Sequence, residues 1–501
     1  MGTDLTFWLD KGASLGPDAP CLTGATVSLT YFEVVALSDA VARALRRSGV
    51  RPGDSVGILS ANDPVAFACV FGIARAGAVW CPINPRNTAA ENKELLDLFG
   101  CRLLIHQPAF AGIEVEVTVE LGAEFDAWLA APDAADPDRA EPPVTGEPPD
   151  DTVMIVGTGG TTGRPKGVRL TGRNLEAMSA ITLMSYPFDG RPRYLALAPL
   201  THAAGVLCFP VMALGGEIVV MPKPDVGEFV ANIARHRITH TFLPPTLIYM
   251  VLGHPELDST DLSSLQCFWY GAAPMSAARL EEALGRIGPM AQLFGQSEAP
   301  MMVSTMAPAD HYRPDGTVWT ERLSSAGRPS PLVGVGIMDS SGTLLPTGER
   351  GEIVVRGSLV MAGYLDDPAA TAEAGRFGWH HTGDIGYLDA DGFLFIVDRA
   401  KDMVITGGFN VYSAEVEQAL MAHPAVRDCA VIGLPDEKWG ERVTAVVQLQ
   451  PGVEPPADLA AFVKERIGSV KTPKQIEYWS DLPRSTVGKV LKPEIRAALR
   501  S

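Results

Sequence analysis

The stretch Val156-Gly157-Thr158-Gly159-Gly160-Thr161-Thr162-Gly163-Arg164-Pro165-Lys166-Gly167 constrains this chain more than any other. It follows a short apolar run, Thr152 to Val156, that reads as a strand. Glycines, threonines and one lysine then arrive in close succession. Glycine lets backbone N–H groups approach a ligand closely and adopt positive φ. A concave row of such groups binds an anion, and hydroxyls and an ammonium add donors and charge. The stretch reads as a phosphate-gripping loop. It is not a Walker loop, because Lys166 follows Pro165 and precedes Gly167, where that pattern needs Gly-Lys-Ser/Thr. It is not the dinucleotide fingerprint either, because Thr162 stands where the last glycine belongs. A plain flexible linker would not carry the Pro-Lys-Gly ending.

The chain has 501 residues, too many for one core, so two or more domains are expected. Its 41 basic residues face 59 acidic ones, a net charge of −18, which argues against nucleic acid or anionic membrane as main partner. An anionic substrate in a locally positive pocket stays compatible with that surface. The seven cysteines are scattered and never form Cys-x-x-Cys. They read as buried small residues in a reducing compartment, and a cytoplasmic location is expected. The start, Met1-Gly2-Thr3-Asp4-Leu5, lacks the basic and apolar regions of a signal peptide. The most apolar window, Tyr194 to Met221, is broken by Pro199, His202, Gly205, Pro210, Gly215 and Gly216, and reads as buried strands and loops, with no membrane span.

Along the chain, Thr30-Tyr31-Phe32-Glu33 is a capping box, followed by Val34, Leu37, Val41 and Leu45 at helical spacing. Ser55 to Ser60 reads as a strand and Val65 to Ala78 as an apolar helix. This alternation predicts an α/β domain with mostly parallel strands. Ala130 to Asp151, rich in Ala, Pro, Asp and Glu, is a solvated connection. Short strands with turn signals between Gly327 and Phe395 predict a smaller β-rich subdomain. After Arg399 the pattern changes to helix (Ala414 to Met421), strands (Val431 to Leu434, Val443 to Leu449) and helix (Leu459 to Ile467), a compact α+β domain of about 100 residues.

Other clusters carry chemistry. Phe294-Gly295-Gln296-Ser297-Glu298 offers a face for a base, a hydroxyl for a phosphate and a carboxylate for Mg²⁺. Tyr270-Gly271-Ala272-Ala273-Pro274 makes a flat wall of small residues. His202 sits in an apolar setting after Pro199-Leu200-Thr201. Asp384, in His381-Thr382-Gly383-Asp384, and Arg399 supply a carboxylate and a guanidinium, suited to ribose hydroxyls. Near the end, Pro483-Arg484-Ser485-Thr486-Val487-Gly488-Lys489 places a lysine after a glycine. Taken singly, each has a structural explanation: a capped turn, close packing, a core histidine, a surface ion pair, a solvated lysine.

Their order and distances together resemble the adenylate-forming superfamily, which includes acyl- and aryl-CoA synthetases, luciferases and peptide-synthetase adenylation domains. The resemblance runs from about Leu29 to Lys492. It implies a large N-terminal adenylation domain of several subdomains (1–399), with parallel α/β sheets and a β-rich part, and a small mobile α+β domain (400–501). It implies that Thr158 to Lys166, with Gly159, Gly160, Thr161, Thr162 and Gly163, grips the β- and γ-phosphates of ATP. Gly271, Ala272, Ala273 and Pro274 with Phe294, Gly295 and Gln296 would sandwich adenine. Ser297 would contact the α-phosphate, Glu298 bind Mg²⁺, and Asp384 and Arg399 hold the ribose. His202 resembles the gating position beside the carboxylate, Lys401 the hinge, and Lys489 the lysine bridging substrate carboxylate and α-phosphate. Gly407-Gly408-Phe409-Asn410 resembles the loop lining a pantetheine tunnel, and Trp439 a residue that stacks on the adenine of CoA.

The implied activity is a carboxylic acid–CoA ligase using ATP, Mg²⁺ and CoA, with a carrier-protein pantetheine or an amine as alternative acceptor and a homodimer left open. Two departures matter. Gly159 stands where a Ser or Thr is usual. Thr201-His202 lacks the aspartate that would hold an α-amino group, which argues against an amino-acid substrate. Residues His202, Thr246, Tyr249, Tyr270, Gly271, Met301 and Met302 are expected to line a pocket for an apolar acid, fatty or aromatic, Gly271 leaving room and the methionines giving adaptable walls.

Overall fold

The computed structural model describes residues 4–132, 151–158, 165–200, 203–399, 402–484 and 490–500. Most of the expected connection from Ala130 to Asp151 lies outside them. Among the described residues the strands form four sheets.

The first sheet runs, edge to edge, through Arg328–Pro329, Ala299–Met306, Met290–Gln296, Cys267–Tyr270, His240–Leu243, Arg193–Ala196, Glu217–Val220, Pro20–Thr23 and Ser28–Thr30. Its central strands are parallel and its two ends antiparallel. The second runs through Gly363–Tyr364, Lys166–Thr171, Thr152–Thr158, Val79–Ile83, Ser55–Leu59, Cys101–His106 and Val117–Glu120, again with a parallel centre.

Side-chain parity explains how the two sheets pack. Along a strand alternate residues face opposite sides. Tyr194, Ala196, Cys267 and Trp269 of the first sheet join Val56, Ile58, Trp80 and Met154 of the second in one core between them. Helices Tyr31–Arg47, Pro64–Arg75, Gly172–Ser185 and Ala203–Ala213 fill that layer. The opposite parity, Leu195, Leu197, Phe268 and Tyr270, packs under helices Val226–His236, Pro245–Leu252 and Ala277–Arg286. The outer face of the second sheet is covered by helix Ala89–Leu98. Trp80 and Trp269 are fully buried, and each such side chain contributes about 1.5–3 kcal/mol by leaving water.

The capping box at Thr30 and Glu33 is present, with Glu33 N donating to Thr30 Oγ1 at 3.2 Å and Thr30 N to Glu33 Oε2 at 2.8 Å. The expected helix Val65 to Ala78 is Pro64–Arg75, capped by Asp63. One expectation fails: the window Tyr194 to Met221 holds the helix Ala203–Ala213, with Pro210 inside it, besides two strands. That helix lies between two sheets and has no solvent face. Its residues are apolar all round, so no periodicity marks it.

The third sheet is antiparallel: Gly334–Met338, Gly351–Arg356, His380–Leu388 and Leu394–Arg399. It is the expected β-rich unit. The fourth holds Phe409–Val411, Val404–Thr406, Gly440–Leu449 and Val426–Asp436, with Gln475–Tyr478 paired to Gly440–Leu449. Helices Ser413–Met421 and Leu459–Lys471 pack on it around a core of their own. All seven cysteines are buried, and none forms a disulfide. Among the described residues no helix is long and apolar enough to cross a membrane.

Candidate functional site

In the first sheet the expected site stretches all follow carboxyl ends of neighbouring strands. Pro199-Leu200 follows Arg193–Ala196, Thr246 and Tyr249 follow His240–Leu243, Gly271 to Pro274 follow Cys267–Tyr270, and Ser297-Glu298 follow Met290–Gln296. Ligands of open α/β sheets bind along that edge, where helix N-termini and loops converge.

The glycine stretch turns back on itself. Thr152–Thr158 pairs antiparallel with Lys166–Thr171, so Gly157 faces Gly167 and Thr158 faces Lys166. Gly159, Gly160, Thr161, Thr162 and Gly163 lie outside the described residues, as do His202, Lys401 and Lys489. The flanking glycines answer to packing: a Cβ on Gly157 would stand 3.1 Å from Leu95, and one on Gly167 3.2 Å from Phe99 and Leu365.

Gly363–Tyr364 adds a strand beside Lys166–Thr171. This brings the Lys166 ammonium 4.7 Å from the centre of the Tyr364 ring, with Asp367 Oδ2 at 3.9 Å. The Tyr364 hydroxyl donates to Glu298 Oε1 at 2.9 Å. Burial, then the Glu298 charge, pushes the phenol above its ordinary range, so it stays a donor. Glu298 stands at the tip of the hairpin Met290–Gln296/Ala299–Met306, where Gln296 pairs with Ala299, and its carbonyl accepts from Met361 N at 2.8 Å. A Cβ on Gly295 would come within 2.4 Å of Met301 N, so that glycine is required by the hairpin itself.

The same hairpin reaches the third sheet. Gln296 Nε2 donates to Thr382 O at 3.0 Å and lies 3.5 Å from Asp384 Oδ2, while Gln296 Oε1 meets His380 Nε2 at 2.9 Å. Burial holds His380 below its usual pKa, so the neutral ring serves as donor there. Asp384 is buried. It sits opposite Arg399 across two antiparallel strands, with Arg399 Nε 3.2 Å from Oδ1. The turn before Asp384 is braced by Glu352, whose carboxylate accepts from Gly383 N at 3.0 Å and His381 Nδ1 at 2.7 Å and meets Arg376 at 3.0 Å. A register shift opposite Glu352 and Val354 accommodates it.

Gly271 directly follows the strand Cys267–Tyr270, beside the strand of Leu293, and a Cβ on Gly271 would meet Leu293 O at 2.4 Å. Close strand packing therefore explains this glycine, where the sequence suggested room for substrate. Ala272, exposed, adopts φ +66, a left-handed conformation rare for a residue with a Cβ. Phe294 is half-buried beside it along the edge. Tyr249 accepts from Ser276 N at 2.9 Å, tying its helix to the stretch after Pro274. Met301 is half-buried with φ +62, and Met302 lies in the core beneath. Tyr270 lies on the other parity, in the core under the outer helices, its hydroxyl bonded to His311 Nε2 at 3.0 Å.

In the fourth sheet Gly407 (φ +58) and Gly408 (φ +81) form the two-residue turn between Val404–Thr406 and Phe409–Val411, which requires positive φ at both places. Gly407 N donates to Trp439 O at 2.7 Å, and a Cβ on Gly407 would stand 3.0 Å from the Trp439 indole. These three expected residues share one corner, with Trp439 39% exposed.

Two groups thus meet at the edge: Lys166, Tyr364 and Glu298, able to face phosphate and cation, and Gln296, Asp384 and Arg399, able to take hydroxyls. Tyr364, Glu352 and His380 carry no local signal of this role. Tyr364 and Glu352 follow and precede ordinary strand residues, and only pairing of distant strands brings them in. Among the described residues no cluster of three His, Cys, Asp or Glu could hold a metal ion. Mg²⁺ needs less: one or two carboxylates, the rest of its shell coming from substrate phosphates and water. A single half-buried Glu298, joined through Tyr364 to Lys166, fits that donor set.

Residues 9–365 match the family model described as AMP-binding enzyme, and 415–489 the one described as AMP-binding enzyme C-terminal domain. The chain is 38% identical over 495 residues to a feruloyl-CoA synthase of Amycolatopsis sp, covering 98% of each. It is 38% identical over 480 residues to the medium/long-chain-fatty-acid–CoA ligase FadD8 of Mycobacterium tuberculosis, covering 91% of this chain and 83% of the relative. The structure of the amide bond synthetase McbA from Marinactinospora thermotolerans superposes with a TM-score of 0.87 at 31% identity, covering 99% of each chain.

Proposed function

The chain belongs to the AMP-binding enzyme family and is an AMP-forming ligase of the acyl-CoA synthetase type; from that premise we propose that it joins an apolar fatty or aromatic carboxylic acid to CoA in two steps. A carboxylate oxygen attacks the α-phosphorus of ATP, the bond to pyrophosphate breaks, and an acyl-adenylate forms. The CoA sulfur, having lost its proton, then attacks the acyl carbon and AMP leaves. The observation that carries this reading is the convergence of the Lys166–Tyr364–Glu298 group and the Gln296–Asp384–Arg399 group on one strand edge.

In this reading the hairpin 157–167 holds the β- and γ-phosphates, with Lys166 kept in place by Tyr364 and Asp367. Glu298 would hold Mg²⁺, oriented by the Tyr364 hydroxyl. The ion supplies charge neutralisation on phosphate oxygens. Asp384 accepts ribose hydroxyls, and Gln296 and Arg399 fix its carboxylate. The flat edge at Gly271 to Pro274 and Phe294 takes the base. Lys489 arrives from the C-terminal part (400–501), which turns about Lys401 between the steps. His202, Thr246, Tyr249 and Met301 border the acid. Tyr270 and Met302, in the core, shape that pocket only through the layer above them.

The test is pyrophosphate release from ATP with a panel of aliphatic and aromatic carboxylic acids, with and without CoA. Acid-dependent release is expected, and silence across the panel in folded protein would sink the proposal.

The likeness to an amide bond synthetase favours a second reading, in which the acyl-adenylate is captured by an amine or a carrier-bound thiol. Trp439 separates them. It flanks Gly407 and stays 39% exposed, as a stacking surface must. Trp439→Ala is expected to raise KM for CoA about 5- to 100-fold, as loss of one base stack predicts, and to leave pyrophosphate release unchanged. An unchanged CoA dependence, with faster turnover on amines or a phosphopantetheinylated carrier, would favour the second reading.

A further inference from the structure

Beside the junction of the third and fourth sheets lies a cluster of charged groups that the reaction above does not use. Asp398 is 5% exposed, on the strand Leu394–Arg399. Its carboxylate accepts from the backbone N of Ser413 and, at 2.9 Å, from Ser413 Oγ. Ser413 opens the helix Ser413–Met421, and its hydroxyl accepts in turn from Lys492 Nζ at 2.5 Å. The same ammonium lies 2.8 Å from Glu417 Oε1, one turn along that helix. Arg496, one turn beyond Lys492, meets Asp402 at 3.5 Å. Burial drives Asp398 up to about 6 and works against the Lys492 ammonium. The carboxylates of Glu417, Asp398 and Asp402 outweigh that burial and hold Lys492 charged.

A desolvated ion network is a poor source of net stability, because desolvation offsets most of the Coulomb gain. Its directional bonds do fix geometry. The position of this one matters. Arg484 and Val490 pair in an antiparallel bridge, and Leu491 N donates to Pro483 O at 2.8 Å, closing the base of segment 485–489. Arg484 is also ion-paired with Asp428, which ties that base to the strand Val426–Asp436. Lys492 is the next charged residue after the segment.

We propose that Lys492 is a positioning residue: through Ser413 and Glu417 it locks the base of the segment carrying Lys489 to Asp398, and so sets where Lys489 stands during adenylation. The proposal rests on the role given to Lys489 above. Lys492→Met keeps the stem and removes the ammonium. Adenylation kcat, followed as ATP–pyrophosphate exchange, is expected to fall about 10- to 100-fold, the scale of an ångström misplacement of a reacting group. KM for ATP and acid should stay within about threefold, because other residues bind both.

The double variant Lys492→Met/Glu417→Gln, which removes the carboxylate that loses its ion pair, is expected to regain thermal stability without regaining rate. It also carries the measurement should the single variant not fold. A merely structural role would restore both, and that result, or an unchanged rate in folded Lys492→Met, overturns the proposal. Lys489→Ala in the same assay separates the two levels. If it silences exchange while Lys492→Met does not, only the positioning role falls. If Lys489→Ala exchanges normally, the reading beneath it falls as well.

Discussion

Lys489→Ala is expected to lower acyl-adenylate formation by about 10²–10³-fold, the loss seen when one preorganised group is removed from developing charge. The reaction brings a carboxylate against an anionic α-phosphate, so repulsion must be cancelled where the new bond forms. Three lysines are candidates for this. Lys166 is held by the Tyr364 ring and Asp367, which suits a grip on the triphosphate. Lys492 is locked between Ser413 and Glu417. Lys489 is the one that the resemblance assigns to the task, in a segment whose base is tied down by the Arg484–Val490 bridge. Thioester formation from supplied acyl-adenylate should persist in Lys489→Ala, because that step needs no bridge between carboxylate and phosphate. Equal loss of both half-reactions would contradict the two-step division of labour.

Much of this architecture was legible because it rests on local rules. The capping box at Thr30, the parallel α/β alternation and the β-rich unit after Gly327 follow from pairings and periods visible in any window of the chain. What stayed hidden depends on partners far apart. Helix Ala203–Ala213 has no polar face, so nothing distinguishes it from buried strand. Phe268 and Tyr270 share one face of their strand, but both faces of that strand are core, so alternation cannot say which one borders the site. Gly271 suggested ligand space, whereas backbone from Leu293 already claims it. Tyr364, the link between Lys166 and Glu298, enters by strand pairing across almost 200 residues, which no local signal announces.

Asp384→Ala is expected to lower kcat/KM for ATP by about 10²–10⁴-fold, since two ribose hydroxyls would each lose a charge-assisted hydrogen bond of about 1.5–3 kcal/mol. The fold should tolerate the change. The Arg399 side chain is 47% exposed and that of Asp384 only 6%, so removing the carboxylate leaves a cation that water can solvate. Arg399→Ala makes the opposite error. It takes one counter-charge from a buried carboxylate, and should cost about 1–3 kcal/mol of stability for a smaller loss of ATP affinity. The decisive comparison uses 2′-deoxy-ATP. The unaltered enzyme should discriminate against it about tenfold or more, and Asp384→Ala should hardly discriminate at all. If the ratio of ATP to 2′-deoxy-ATP turnover were the same in both proteins, Asp384 would be a bracing residue of the sheet, and the nucleotide would have to be placed elsewhere along the strand edge.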